Sequence, residues 1–147
     1  SEHRDVFRLL NSNDINVCGH LGLQPQLIVD SSGYKIQGKD DIGAQKILDD
    51  ALLLESLGVS VIVLECIPRE LAKNVSRSLK IPTIGIGAGS DCDGQVLVSY
   101  DMLGITSGRL PRFARNFMTG KGSVRLAIES FNEEVKAGTY PSIDETY

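Results

Sequence analysis

Four aliphatic residues in a row, Val61-Ile62-Val63-Leu64, run directly into Glu65, Cys66, Ile67 and Pro68. A run without polar alternation does not suit a strand with one wet face; it suits a strand covered on both sides, as in a parallel sheet under helices. The same run delivers a carboxylate at its tip, where burial works against charge.

The neighbouring pattern supports the parallel-sheet reading. Residues 2–10 read as the tail of a helix, and Asn11-Ser12-Asn13-Asp14 breaks it. Residues 15–18 read as a short strand ending at Gly19-His20, followed by a Gly-, Pro- and Ser-rich loop from Leu21 to about Asp40. Ala44, Ile47, Leu48, Ala51 and Leu52 repeat at helical spacing, and Gly58 sits where a helix-ending glycine belongs. Residues 59–64 form the next strand. Pro68 opens a helix with Leu71, Ala72, Val75 and Leu79 on one face. Residues 81–86 are a third strand, residues 96–103 a short helix, and Val124 to Val135 a last amphipathic helix closed by Gly138 and Pro141. Strands alternating with amphipathic helices predict an α/β fold with a parallel sheet. Such sheets bind ligands at the carboxyl ends of their strands. His20, Glu65 and the Gly85–Gly89 loop each follow a strand, so all three are expected on one rim.

Bulk properties narrow the function. The 147 residues carry a net charge of −4 and no Lys/Arg block, which argues against a nucleic-acid surface. No apolar run approaches the roughly 20 residues of a membrane span. No charged-then-apolar leader is read at the start, although the chain begins with Ser1 rather than Met. Cys18, Cys66 and Cys92 form no C-x-x-C pair. That pattern fits neither a zinc knuckle nor a disulfide framework, and it fits a reducing cytoplasm.

Individual residues each admit two readings. Glu65 is either a desolvated base with a raised pKa or an acid placed favourably near a helix N-terminus. His20 either binds the carboxylate or keto oxygen of a small substrate or is a loop histidine satisfied by backbone. "GIGAGSDCDG" (residues 85–94) is neither a dinucleotide fingerprint nor a P-loop, and Asp91 and Asp93 fail the spacing of a calcium loop. Its glycines are read as turn formers or points of close backbone approach. Cys66 and Cys92 lack a basic neighbour and are read as small packing residues. Lys35 and Lys39 are read as solvated, and Arg109, Arg112 and Arg115 as a modest basic surface stretch. The opening "HRDVFRLLN" imitates a kinase catalytic loop, but its Asn is one residue too far along.

"VCGHLGLQPQ", "GYKIQGKD", "VIVLECIPRELAKNVSRSLKIPTIGIGAG", "CDGQVLVSYDMLGI" and "PRFARNF" together resemble consecutive blocks of the ketopantoate hydroxymethyltransferase family, in order and at the family's spacing. The resemblance covers essentially the whole chain. It implies the C-terminal half of a (β/α)8 TIM barrel of the phosphoenolpyruvate/pyruvate type, with residues 1–147 as a single domain lacking the first four strands. It implies transfer of a hydroxymethyl group from 5,10-methylenetetrahydrofolate to 3-methyl-2-oxobutanoate, giving 2-dehydropantoate for pantothenate biosynthesis. By match to the "LECxP" block, Glu65 is the catalytic base. By match to "CGHLGL", His20 lines the substrate pocket. Magnesium is implied as cofactor, with its aspartate ligands and a substrate-binding lysine in the absent half and no metal ligand in this chain. Ser32-Gly33 stands where the family commonly has Gly-Gly. The partners implied are the N-terminal half and further copies in a homo-oligomer. The expectation is one piece of a nicked or split enzyme, inactive alone. A non-catalytic fragment, or another 2-oxo acid enzyme of the same barrel superfamily, is the alternative.

Overall fold

The computed structural model describes residues 4–25 and 35–147. The loop expected over residues 21–40 lies partly outside them, as do Ser32-Gly33 and residues 1–3. The elements run α1 (Arg4–Ser12), β1 (Cys18–Gly22), α2 (Asp41–Ser56), β2 (Val61–Glu65), α3 (Arg69–Ser78), β3 (Thr83–Ile86), β4 (Gly94–Gln95), α4 (Ser99–Met102) and α5 (Val124–Lys136). A 3-10 turn follows at Ile143–Glu145.

All four strands are parallel and lie in the order β1-β2-β3-β4. Spatial order equal to chain order means that the chain winds in one direction, without the reversal that marks a doubly wound sheet. The arrangement is consistent with part of a TIM-type barrel. Helix boundaries follow local chemistry. Asp40 caps α2 by accepting from the Gly43 N–H at 2.8 Å, and Gly58 closes the helix at φ +83°. Ser123 caps α5, and Gly138 stands beyond its end at φ +68°.

Two apolar clusters sandwich the sheet. On one side Ile62 and Leu64 of β2, both fully buried, pack with Ile47 and Ala51 of α2 and with Leu71 and Val75 of α3. Burying an aliphatic side chain of this size stabilises by about 1.5–3 kcal/mol relative to exposure. On the other side Ile86, Leu97, Met102, Phe113, Phe117 and Tyr140 form the second cluster, against which Val63 packs. Both faces of β2 are thus covered, as its unbroken aliphatic run requires.

Three expectations need correction. The first strand does not end before His20; it spans Cys18–Gly22 and contains it, because pairing starts only where Cys18 meets Val61. Ile15 ahead of it remains half exposed. The short helix expected over residues 96–103 shrinks to the single turn α4, Ser99–Met102, and the two-residue strand Gly94–Gln95 precedes it. Val96 N–H donates to the Gly85 carbonyl at 3.0 Å, which continues the sheet instead of opening a helix. The connection from β3 to β4 therefore holds seven residues and no helix, although parallel crossovers ordinarily need a dozen or more. Positive φ at Gly87 and Gly89 makes that tight return possible. Finally, Arg115 does not belong to a basic surface stretch. Its guanidinium binds Glu145 and Glu134 and stacks over Phe117 and Tyr140.

Gly22 marks the tightest point of the sheet: at φ +89°, a Cβ would lie 2.1 Å from the Glu65 carbonyl oxygen. Gly120 also has positive φ (+72°), but nothing lies within 4 Å of its Cβ position. Gly120→Ala is expected to cost about 1 kcal/mol of conformational strain, and Gly22→Ala about 3 kcal/mol or more because backbone must move. Denaturant midpoints of the two variants check this; equal losses would mean that β1 yields at Gly22.

Candidate functional site at the carboxyl ends of β1 and β2

Residues along a strand alternate between faces. In the β1–β2 register, His20 stands beside Val63 and Gly22 beside Glu65. His20, Val63 and Glu65 consequently share the face opposite α2 and α3, whereas Ile62 and Leu64 point to those helices. His20 is one diagonal step from Glu65, and its Nε2 lies 2.9 Å from Glu65 Oε2. With Glu65 ionised, the imidazole Nε2–H is the donor.

Glu65 is the last residue of β2 and only 7% exposed. Its main-chain carbonyl accepts from the Leu23 N–H at 2.8 Å, so β1 and its continuation fix the backbone on one side. Burial pushes the carboxyl pKa above that of an ordinary glutamate; attraction to His20 and the hydrogen bond between them pull it partly back. Along the chain, α3 starts four residues after Glu65.

Cys66 follows in the left-handed region at φ +49°, a conformation that costs a non-glycine residue about 1–3 kcal/mol. It is tied down on both sides: its N–H donates to the Ile86 carbonyl at 2.9 Å, and its carbonyl accepts from Gln37 N–H at 2.9 Å. This kink turns the chain from β2 toward α3 and leaves Glu65 at the strand tip. Burial pushes the Cys66 thiol up to about 12, with the Glu65 charge adding to the effect. A thiol held protonated is no nucleophile, in agreement with packing. Cys92 is likewise raised by burial and packs against the helix-side cluster.

The glycine-rich loop follows β3 as expected, but protein groups cover its glycines. Phe113 lies where a Cβ on Gly87 would point, and the Arg69 side chain where one on Gly89 would. Asp91 accepts from Arg69 Nε at 2.5 Å, and that bond holds its carboxyl below the usual range. Asp93 accepts from the N–H and hydroxyl of Thr83 at 2.8 and 3.0 Å. Both aspartates hold the loop together. Lys35 and Lys39 are exposed. His20 borders a cavity of about 370 Å³ beside β1, with Phe7, Cys18 and Gln24 in its lining; Glu65 does not line it.

The sequence pattern did not single out Leu23, Gln37 or the left-handed Cys66 as parts of this corner. Leu23 and Gln37 act through backbone atoms, which leave no mark on side-chain patterns. Gly22 did carry a signal, as the second glycine of "CGHLGL".

Comparison with known proteins converges on one family. The profile of the ketopantoate hydroxymethyltransferase family matches residues 1–143. The 3-methyl-2-oxobutanoate hydroxymethyltransferase of Vesicomyosocius okutanii is 58% identical over 146 residues, which is 99% of this chain and 56% of that protein. The enzyme of the same name from Shewanella denitrificans is 51% identical over 142 residues, 97% of this chain and 54% of the relative. That from Salmonella newport is 49% identical over 143 residues, 97% and 54% respectively. The chain spans about half the length of these curated relatives. With a family profile over nearly its whole length and relatives at this identity, the chain belongs to the ketopantoate hydroxymethyltransferase family.

Proposed function

We propose that this chain supplies the general base for hydroxymethyl transfer from 5,10-methylenetetrahydrofolate to 3-methyl-2-oxobutanoate, yielding 2-dehydropantoate for pantothenate biosynthesis. The observation that carries the proposal is Glu65: a carboxylate buried at the carboxyl end of a parallel strand, its pKa raised by burial, 2.9 Å from an imidazole. In this reading the carboxylate takes the proton from C3 of the 2-oxo acid. The C–H electron pair becomes the enolate, whose carbon bonds to the one-carbon unit as that unit's bonds to the folate nitrogens break; water supplies the hydroxyl oxygen, and tetrahydrofolate leaves. A raised pKa suits the task, since a stronger base abstracts a weakly acidic proton more readily. His20 orients the carboxylate, holds it ionised, and faces the 2-oxo acid from the neighbouring strand.

The chain is read as the C-terminal half of a (β/α)8 barrel of the phosphoenolpyruvate/pyruvate type, forming one domain. The N-terminal half is its required partner, and the complete enzyme is proposed to be a cytoplasmic homo-oligomer. Sequential parallel strands, with β1 at one edge of the sheet among the described residues, support that assembly. No helix among the described residues is long and apolar enough to cross a membrane. The described residues do not fit a magnesium site: Glu65 and His20 are bonded to each other, and no three His, Cys, Asp or Glu side chains are grouped to hold a metal. If magnesium serves the reaction, as the family resemblance implies, its ligands belong to the part of the family's length that this chain does not span.

Hydrogen–deuterium exchange at C3 of 3-methyl-2-oxobutanoate, measured with the complete enzyme, tests the base directly. Glu65→Gln is expected to slow exchange by about 10²–10⁴-fold, the usual contribution of a general base. An unchanged rate would overturn the assignment. The base works only when ionised, so exchange rises with pH through the Glu65 pKa, above the 4.5 of an ordinary glutamate. His20→Gln removes the charge interaction that lowers this pKa, and the acid limb of the profile is expected to move to higher pH. A limb that stays in place, or moves down, would show that His20 does not tune Glu65.

A further inference from the structure

Several contacts outside the strand ends converge on the corner that carries Glu65. Arg115 lies between α4 and α5 and donates through its fork to both oxygens of Glu145, at 2.6 Å each. Its remaining terminal nitrogen donates to Glu134 of α5 at 2.5 Å. The guanidinium sits 5.0 Å from the Phe117 ring centroid and 5.1 Å from that of Tyr140. A two-oxygen fork fixes direction as well as distance, which a point charge does not.

Glu145 in turn organises Ser142–Tyr147. Its second oxygen accepts from Ser142 N–H at 2.8 Å and closes a capping box on the 3-10 turn. Arg112 Nε donates to the Asp144 carbonyl at 2.7 Å. The segment then ends on the Glu65 corner. The Tyr147 carbonyl accepts from Arg69 N–H at 3.0 Å, the first N–H of α3. The Tyr147 ring meets Phe113 edge-on at 6.3 Å, and Phe113 covers Gly87 in the loop after β3. Burial raises the Tyr147 phenol.

Residues 65–69 are therefore held from two sides. The sheet holds Glu65 and Cys66 through Leu23 N–H and the Ile86 carbonyl, and the clasp holds Arg69 through the Tyr147 carbonyl. A left-handed cysteine persists only where its surroundings over-determine it.

We propose that Ser142–Tyr147 is a clasp that keeps the Cys66 kink closed, and that Arg115 is a positioning residue for Glu65. The assignment rests on the reading of Glu65 as the base. Arg115 touches no substrate in this scheme; it acts through Glu145, Tyr147 and the start of α3. Among the described residues, the titratable groups that act on or beside Glu65 are His20 from β1 and the neighbouring Cys66 thiol. When the clasp loosens, Glu65 becomes better hydrated and its acid limb moves down toward that of an ordinary glutamate.

The test uses the complete enzyme carrying Arg115→Gln, Arg115→Lys or, for reference, Glu65→Gln. Two readouts are taken: C3 exchange against pH and substrate concentration, and amide hydrogen exchange at Cys66, Arg69 and Ile62. Folded Arg115→Gln is expected to lose about tenfold or more in kcat with little change in KM, the mark of an interaction serving the reaction rather than binding. Its acid limb shifts to lower pH. The Cys66 and Arg69 amides exchange about tenfold faster while Ile62 stays protected, the sign of a local opening. Arg115→Lys keeps the charge without the fork and recovers only part of the loss. A stability loss with kcat, acid limb and both amides unchanged would overturn the proposal. Should Arg115→Gln fail to fold, Glu145→Gln, which keeps shape and weakens the fork, is read by the same criteria. A wild-type rate in Glu65→Gln would remove the base while leaving the amide result to decide the clasp alone.

Discussion

The ladder between β1 and β2 ends with the Leu23 N–H on the Glu65 carbonyl, one residue past the pairing of Gly22 with Glu65. The placement of the site depends on that register. It sets His20 and Glu65 on one face with a diagonal reach of 2.9 Å, and it forces a glycine at residue 22, where any Cβ would strike the Glu65 carbonyl. A slip of one residue would turn Glu65 into the helix-side cluster of Ile62, Leu64 and Val75. An unpaired carboxylate there would stand against a large desolvation cost.

Glu65 is buried yet partnered, and that combination explains its electrostatics. Burial alone drives a carboxyl toward its neutral form; a hydrogen-bonded imidazole returns part of the stability of the charged form. The result is a group more basic than an exposed glutamate that His20 still holds in a fixed direction. The next residue gives up backbone comfort to the same end. The left-handed Cys66 turns the chain from β2 toward α3, and backbone hydrogen bonds and burial offset its strain. Strain collected beside a titratable group at a strand tip supports the proposal that Glu65 serves a functional site.

Much of this was legible in the residues. The aliphatic run 61–64, the helical stripes and the glycine at 58 marked β2, α2 and α3 to within a few residues, because hydrophobic period and capping chemistry are local. The rim position of Glu65 followed from the carboxyl-end rule for parallel sheets. Two of the misread places share one cause. Residues 96–103 have apolar spacing that suits a helical turn, yet Val96 N–H finds the Gly85 carbonyl and joins the sheet. Residues 15–17 have strand composition, but their neighbour β2 begins only opposite Cys18. In each case the outcome was set by which partner backbone came within reach, and side-chain patterns do not encode that.

By itself the sequence determined the fold class, the family blocks and the identity of the carboxylate at the tip of β2. Those properties reside in residue type and local spacing. Tertiary structure alone decided that His20 lies inside a strand and reaches Glu65, that Cys66 adopts a left-handed turn, and that Arg115 pairs with Glu134 and Glu145. The physical reason is distance along the chain. His20 and Glu65 are separated by 45 residues, and Arg115 and Glu145 by 30. Contacts of that span exist only once sheet register and helix packing have fixed where each backbone lies.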